Sequence, residues 1–257
     1  MISPFYRLEG GLYHPLIPAT GSWNRAHQNG VAVGGLLASM IDDAPEAAPM
    51  SLCRLTVDIV RTVPFQPVEA RCVAIKSGPR MQVLEAQILA NGELVARAAA
   101  VRIRIEDTPG DAEAPLPYPA PEDAPVRPIT SALSQGHPVE TRVVKGSPRE
   151  PGPGAYWTRI NAEVIESRPV SAAARAVMAA DLASSPSSII NTREWSNANI
   201  DLSVYFTRAP VGDWILAEAE TVTAGNGAAL VNTVLADRTG PFGRAHQTLF
   251  IAPLKRA

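Results

Sequence analysis

The chain has 257 residues, 46% hydrophobic and 19% charged, enough apolar material for one large core or two modest ones. A formal net charge of -2, with no long block of lysine or arginine, argues against a nucleic-acid partner. Only Cys53 and Cys72 occur, away from any ligand spacing, and no apolar run has the length of a signal core or a membrane span, so the expectation is a soluble cytoplasmic protein with no membrane partner and no disulfide framework.

In chain order, residues 5–17 read as a strand with glycine turns, and residues 19–30 are rich in turn formers ending in Asn29-Gly30. A helix follows, its apolar stripe set by Val33, Leu36, Leu37, Met40 and Ile41. Its early turns carry Gly34 and Gly35, which cost helix stability relative to alanine. Two readings stand: close packing of the helix on a neighbour, or an approach by a ligand whose developing oxyanion would meet helix-terminal N–H groups. Strands are expected over 52–63, 69–76, 82–90 and 94–105, with Asn91-Gly92 as the hairpin turn between the last two. Residues 106–138 are proline-rich and poor in large aliphatics, the composition of an extended linker.

Past the linker the order returns: strands over 139–145 and 156–165, a helix over 170–183, and strands over 199–208, 214–223, 228–235 and 244–251. Aligning Arg61 with Arg208 brings the turn Asn91-Gly92 against Thr239-Gly240, a weak internal repeat. Two copies of a unit in which an antiparallel sheet wraps one central helix is the plan of a double hot-dog, an α+β architecture. The expected units are residues 1–105, an N-terminal hot-dog, and 139–257, a C-terminal hot-dog, joined by the linker 106–138.

The copies differ in their polar residues. Asp181 lies on the apolar side of its helix, in line with Val170, Ala174, Val177 and Met178, so it pairs locally or lines a polar cavity. Asn199 in the second copy faces Leu52 in the first, and Gln247 faces Ala99. A carboxylate and two amides can hold and polarise a water for attack on an acyl carbonyl. Taken singly, Asp181 could bond backbone, Asn199 could cap a turn and Gln247 could sit on a solvated sheet face. Alternation from Ile200 to Phe206 also puts Asn199 on the face opposite the apolar one, unless a bulge or two-sided burial intervenes. Asp42, with Asp43 beside it at the end of the first helix, is the second-rank carboxylate, and His27 a stray candidate base in a loop.

The runs Ala179-Ala180-Asp181-Leu182, Asn199-Ile200-Asp201, Phe206-Thr207-Arg208-Ala209-Pro210, Asp237-Arg238-Thr239-Gly240 and Ala245-His246-Gln247 resemble the C-terminal half of the acyl-CoA thioesterase II group of double hot-dog thioesterases. The first half resembles that group's first hot-dog through Asn29-Gly30, Gly34-Gly35 and the helix to Asp42. The resemblance implies hydrolysis of fatty acyl-CoA without metal or organic cofactor, through an aspartate, a hydroxyl residue and a glutamine that hold the water. Asp181 and Gln247 match two of these positions, and Asn199 stands where the family has its hydroxyl. On this reading Gly34 and Gly35 offer N–H groups to the thioester oxygen, acyl-CoA is the partner, and a homo-oligomer is compatible with a tandem unit.

Other chemistries find less support. Gly225-Asn226-Gly227 sits between strands, where a hairpin explains it, and the histidines at 14, 27, 137 and 246 have no ligand spacing. No Gly-x-Ser-x-Gly elbow occurs. The alternative functional class is a non-catalytic acyl-ligand binding hot-dog protein; a hydratase would need an Asp and His pair that the sequence does not offer.

Overall fold

The computed structural model describes residues 2–22, 24–46, 48–111, 113–127, 138–147, 150–191 and 194–254. The opening run is a hairpin and not one strand: β1 (Tyr6–Glu9) and β2 (Leu12–Pro15) turn on Gly10 and Gly11, both at positive φ. Helix α1 (Gly30–Asp42) follows, then β3 (Met50–Ile59), β4 (Glu69–Ser77), β5 (Met81–Ala90) and β6 (Glu93–Arg104). Asn91 and Gly92 both take positive φ, as a two-residue hairpin requires. The second half holds β7 (Val139–Ser147), β8 (Glu150–Ile160), α2 (Ala172–Asp181), β9 (Trp195–Asn199), β10 (Asp201–Phe206), β11 (Trp214–Thr223), β12 (Ala228–Asp237) and β13 (Gly240–Pro253). The strand expected to reach Ile165 stops at Ile160, and Ile165 instead bridges Tyr6.

β1 and β2 form a two-stranded sheet of their own; the strands of the two halves, instead of forming two sheets, join in one antiparallel sheet in the order β4-β5-β6-β3-β10-β13-β12-β11-β8-β7, with β9 also paired to β13. Each half would leave one meander strand with unpaired backbone groups; pairing β3 with β10, Asp58 opposite Asp201 through Arg54 opposite Tyr205, satisfies both edges.

The two helices pack against each other, chiefly touching β3–β6 on one side and β8 and β10–β12 on the other. Nearly every residue of α1 is buried, which fits a helix that is apolar almost all round. Each start is capped: Asn29 Oδ1 accepts from Ala32 N–H at 2.8 Å, and Ser171 Oγ from Ala174 N–H at 3.0 Å. The helices run antiparallel, because Ser171 donates to the Asp42 carboxylate at the end of α1 while Gly30, at the start of α1, abuts Asp181 at the end of α2. Gly34 and Gly35 make this approach close. A Cβ on Gly34 would lie 3.1 Å from Val177 Cγ1, and one on Gly35 2.9 Å from Met178 Sδ.

The linker runs over the outer face of the second half. Leu116 and Tyr118 cover Trp157, Trp214 and Leu216, and Trp157 Nε1 donates to Pro119 O at 3.0 Å. Large apolar groups on the outward side of β8 and β11 give an extended, proline-rich segment something to bury. Residues 128–137 lie outside the described part.

Asp237 clasps the β10–β11 connection to the β12–β13 hairpin. Its side chain is 0% exposed and accepts from Arg208 Nη1 at 2.6 Å and Nη2 at 2.9 Å, from Val211 N–H and from Thr239 N–H and Oγ1. Burial works against the charged form, but the Arg208 guanidinium, Thr239 and the backbone donors outweigh it and hold the carboxyl down at about 2. The corresponding Arg61 pairs with Glu93, at 3.6 Å on the surface. A folded pKa below the unfolded one makes the stabilisation full above pH 4 and lost as pH falls toward 2. Asp237→Asn is expected to cost about 2 kcal/mol near neutral pH and progressively less in acid, read by urea unfolding across pH.

Candidate active site

Asp181 ends α2, where the last carbonyls of a helix lack intrahelical donors. Side chains from three strands supply them. Gln247 Nε2 on β13 donates to Asp181 O at 3.1 Å, Asn199 Nδ2 on β9 to the same carbonyl at 3.3 Å, and the Tyr156 hydroxyl on β8 to Ala179 O at 2.9 Å. Asn199 Nδ2 also reaches the Asp181 carboxylate, 3.1 Å from Oδ1. The structure therefore brings Asp181, Asn199 and Gln247 together.

A bulge solves the alternation problem at Asn199. Asn199 stands opposite Leu249 of β13, yet Ser203 stands opposite His246, so four steps on one strand meet three on the other. The strand breaks at Ile200, which is 46% exposed, and Asp201 Oδ1 takes the Thr248 N–H at the break. Before it the odd position, Asn199, faces the helix; after it Leu202, Val204 and Phe206 do. On β13 Gln247 is 1% exposed, while His246 points to the other face and bonds Asn232. Gln247 Oε1 is buried without a partner among the described residues.

The carboxylate also meets the start of α1. A Cβ on Gly30 would lie 2.6 Å from Asp181 Oδ1 and 2.8 Å from Oδ2, so only glycine admits the contact. Asn29 Oδ1 holds the Ala32 N–H and Asn29 O the Val33 N–H; the Gly30 and Val31 N–H groups have no partner among the described residues. Gly34 and Gly35 do not play the part expected of them. They stand beyond the first turn, where N–H groups are spent inside the helix, and they serve helix-to-helix packing. Reading Asn29 as an N-cap would have moved that role to Gly30 and Val31.

Asp181 and Asp42 occupy matching helix ends in different surroundings. Burial raises the Asp42 carboxyl, opposed by the Ser171 hydroxyl and by Arg102, whose Nη2 lies 3.8 Å away; Asp43 and Glu46 push it up again. Asp181, half-buried but closely surrounded, has no cation beside it among the described residues: loss of hydration pushes it up to about 6, against the Asn199 hydrogen bond. Asp43 is spent on Arg168 at 2.8 Å. His27 lies in the loop that bridges Pro64, and its ring bonds nothing among the described residues; His137 lies outside them. Among the described residues no group of three or more His, Cys, Asp or Glu side chains is placed to hold a metal ion, and no helix is long and apolar enough to cross a membrane. The arrangement offers a carboxylate pushed up to about 6 beside helix-terminal N–H groups, with an amide oxygen on the neighbouring strand, groups suited to general-base chemistry.

Residues 110–251 match the family model described as the acyl-CoA thioesterase C-terminal domain, and residues 19–103 the one described as the acyl-CoA thioesterase N-terminal domain. No curated protein matches by sequence. Among solved structures, a conserved protein of unknown function with a hot dog fold from Alicyclobacillus acidocaldarius superposes with a TM-score of 0.75 at 17% identity, covering 95% of this chain and 94% of that one. The acyl-CoA thioesterase II TesB2 from Mycobacterium marinum gives 0.69 at 17% identity, covering 96% and 95%. These likenesses show the hot-dog fold.

The raised carboxyl makes a stability statement independent of catalysis. With the folded pKa of Asp181 near 6 and the unfolded value near 3.8, the native state loses stability as pH rises from about 4 to above 6. Asp181→Asn, which keeps an oxygen for Asn199, is expected to be more stable than the parent by about 3 kcal/mol at pH 8 and indistinguishable from it near pH 4. Paired melts across that range check this; a constant difference would show that Asp181 titrates elsewhere.

Proposed function

This chain belongs to the acyl-CoA thioesterase family, and from that premise we propose that it hydrolyses fatty acyl-CoA thioesters with a water held by Asp181, Asn199 and Gln247. The observation that carries the reading is the Asp181 carboxylate, pushed up to about 6, against the start of α1, where the Gly30 and Val31 N–H groups have no partner among the described residues. Asn199 donates to Oδ1 and leaves Oδ2 to take a proton. The water gives one proton to Asp181, directs the other at Gln247 Oε1, and its oxygen attacks the thioester carbon. Negative charge develops on the carbonyl oxygen, which the Gly30 and Val31 N–H groups and the positive end of α1 stabilise. The C–S bond then breaks, and the proton on Asp181 passes to the leaving thiolate. No metal or organic cofactor takes part.

We read residues 1–105 and 139–257 as two hot-dog units joined by 106–138, a tandem that works in the cytoplasm on lipid thioesters and admits a homo-oligomer. One helix per half and the pairing of β3 with β10 support the tandem reading.

Thiol release from a panel of acyl-CoAs tests the activity. The base must be ionised, so kcat/KM is expected to rise with pH through about 6 and then level. Asp181→Asn should lower kcat by about a thousandfold while the protein still folds, and Gly30→Ala by about a hundredfold through the displaced carboxylate. Undiminished turnover in Asp181→Asn removes the carboxylate from the mechanism. Acyl-CoA-dependent thermal shifts with no thiol released would support the binding protein instead.

A further inference from the structure

Two buried polar atoms without partners among the described residues lie on the inward face of the second half: Gln247 Oε1 on β13 and Thr233 Oγ1 on β12. Thr233 is 3% exposed and Gln247 1%. Their register makes them neighbours. Val231 stands opposite Gln247 and Thr233 opposite Ala245, so the two share a face on a diagonal. On that diagonal Cβ atoms lie about 7 Å apart, beyond a direct hydrogen bond between short groups and suited to one water between the side-chain tips. The positions flanking Thr233 across the sheet, Ala219 and Ala245, carry only methyl groups, so neither supplies its hydroxyl with a side-chain partner.

The orientation of Gln247 is fixed. Its Nε2 faces Asp181 O, an acceptor, so Oε1 points away from that carbonyl and needs a donor of its own. We infer that Thr233 is a positioning residue of the Asp181 site: its hydroxyl donates to a bound water that donates to Gln247 Oε1, which fixes the amide that holds the end of α2. Gln247 Oε1 keeps its second lone pair for the reacting water. The catalytic part of the inference rests on the thioesterase reading, while the bridge to Gln247 does not.

Thr233→Val keeps the shape and removes the hydroxyl; Thr233→Ser keeps the hydroxyl; Thr158→Val is a control, since Thr158 Oγ1 is likewise buried and unpartnered but has no such orphan as its diagonal neighbour. In the full chain, thiol release is measured together with the side-chain amide NMR signal of Gln247, identified by its loss in Gln247→Leu. Thr233→Val is expected to lower kcat about tenfold with KM within about twofold and to shift the amide signal. Thr233→Ser should restore both, and Thr158→Val should disturb neither. If Thr233→Val does not fold, Thr233→Ala is read the same way. An unmoved Gln247 signal overturns the bridge, and a shifted signal with parental kcat overturns the positioning role. If the parent itself releases no thiol, the thioesterase reading has failed, and the amide signal alone decides the bridge.

Discussion

Everything in this molecule depends on two antiparallel helices meeting end to end. Gly34 and Gly35 let α1 close on Val177 and Met178 of α2, and that closeness sets where both helix ends fall. Each helix finishes on an aspartate, and each aspartate meets the start of the other helix. A carboxylate buried beside a helix N-terminus gains from the positive end of the dipole and pays in lost hydration. The sheet follows from the same constraint: with the helices joined, β3 and β10 are brought edge to edge and pair.

The halves then solve one problem in two ways. At the end of α1, Arg102, with 4% of its side chain exposed, donates to Ile41 O and Ala44 O and places its charge near Asp42 and Glu46. At the end of α2 the caps are neutral: Asn199, Gln247 and Tyr156 satisfy the carbonyls without bringing a cation. Burial raises both carboxyls; at Asp42 the Ser171 hydroxyl and the Arg102 charge oppose it, whereas at Asp181 only the Asn199 hydrogen bond does.

Much of this is legible in the sequence, because hydrophobic periodicity marks both helices and every meander strand, and because the weak repeat exposes Asp181, Asn199 and Gln247 as the polar set that one copy has and the other lacks. What is hidden depends on relations between distant parts. Nothing local distinguishes glycines that admit a neighbouring helix from glycines that admit a ligand, so Gly34 and Gly35 drew the role that the Gly30 end of the helix fits better. The pairing of β3 with β10 depends on edges that exist only once both halves have folded, and the burial of Trp157 under Pro119 on the outer face that β8 and β11 build together. Thr233 is one of several threonines in strands until its register places it beside Gln247.

The bulge at Ile200 carries a further meaning. It divides one strand into two reading frames: downstream, the frame that seats Leu202, Val204 and Phe206 in the core is policed by packing; upstream, the frame that turns Asn199 inward is held by the single extra residue. Core and site are thereby uncoupled in sequence. Substitutions that tune the core need not disturb the orientation of Asn199, and the residues before the break can change chemistry without renegotiating the sheet.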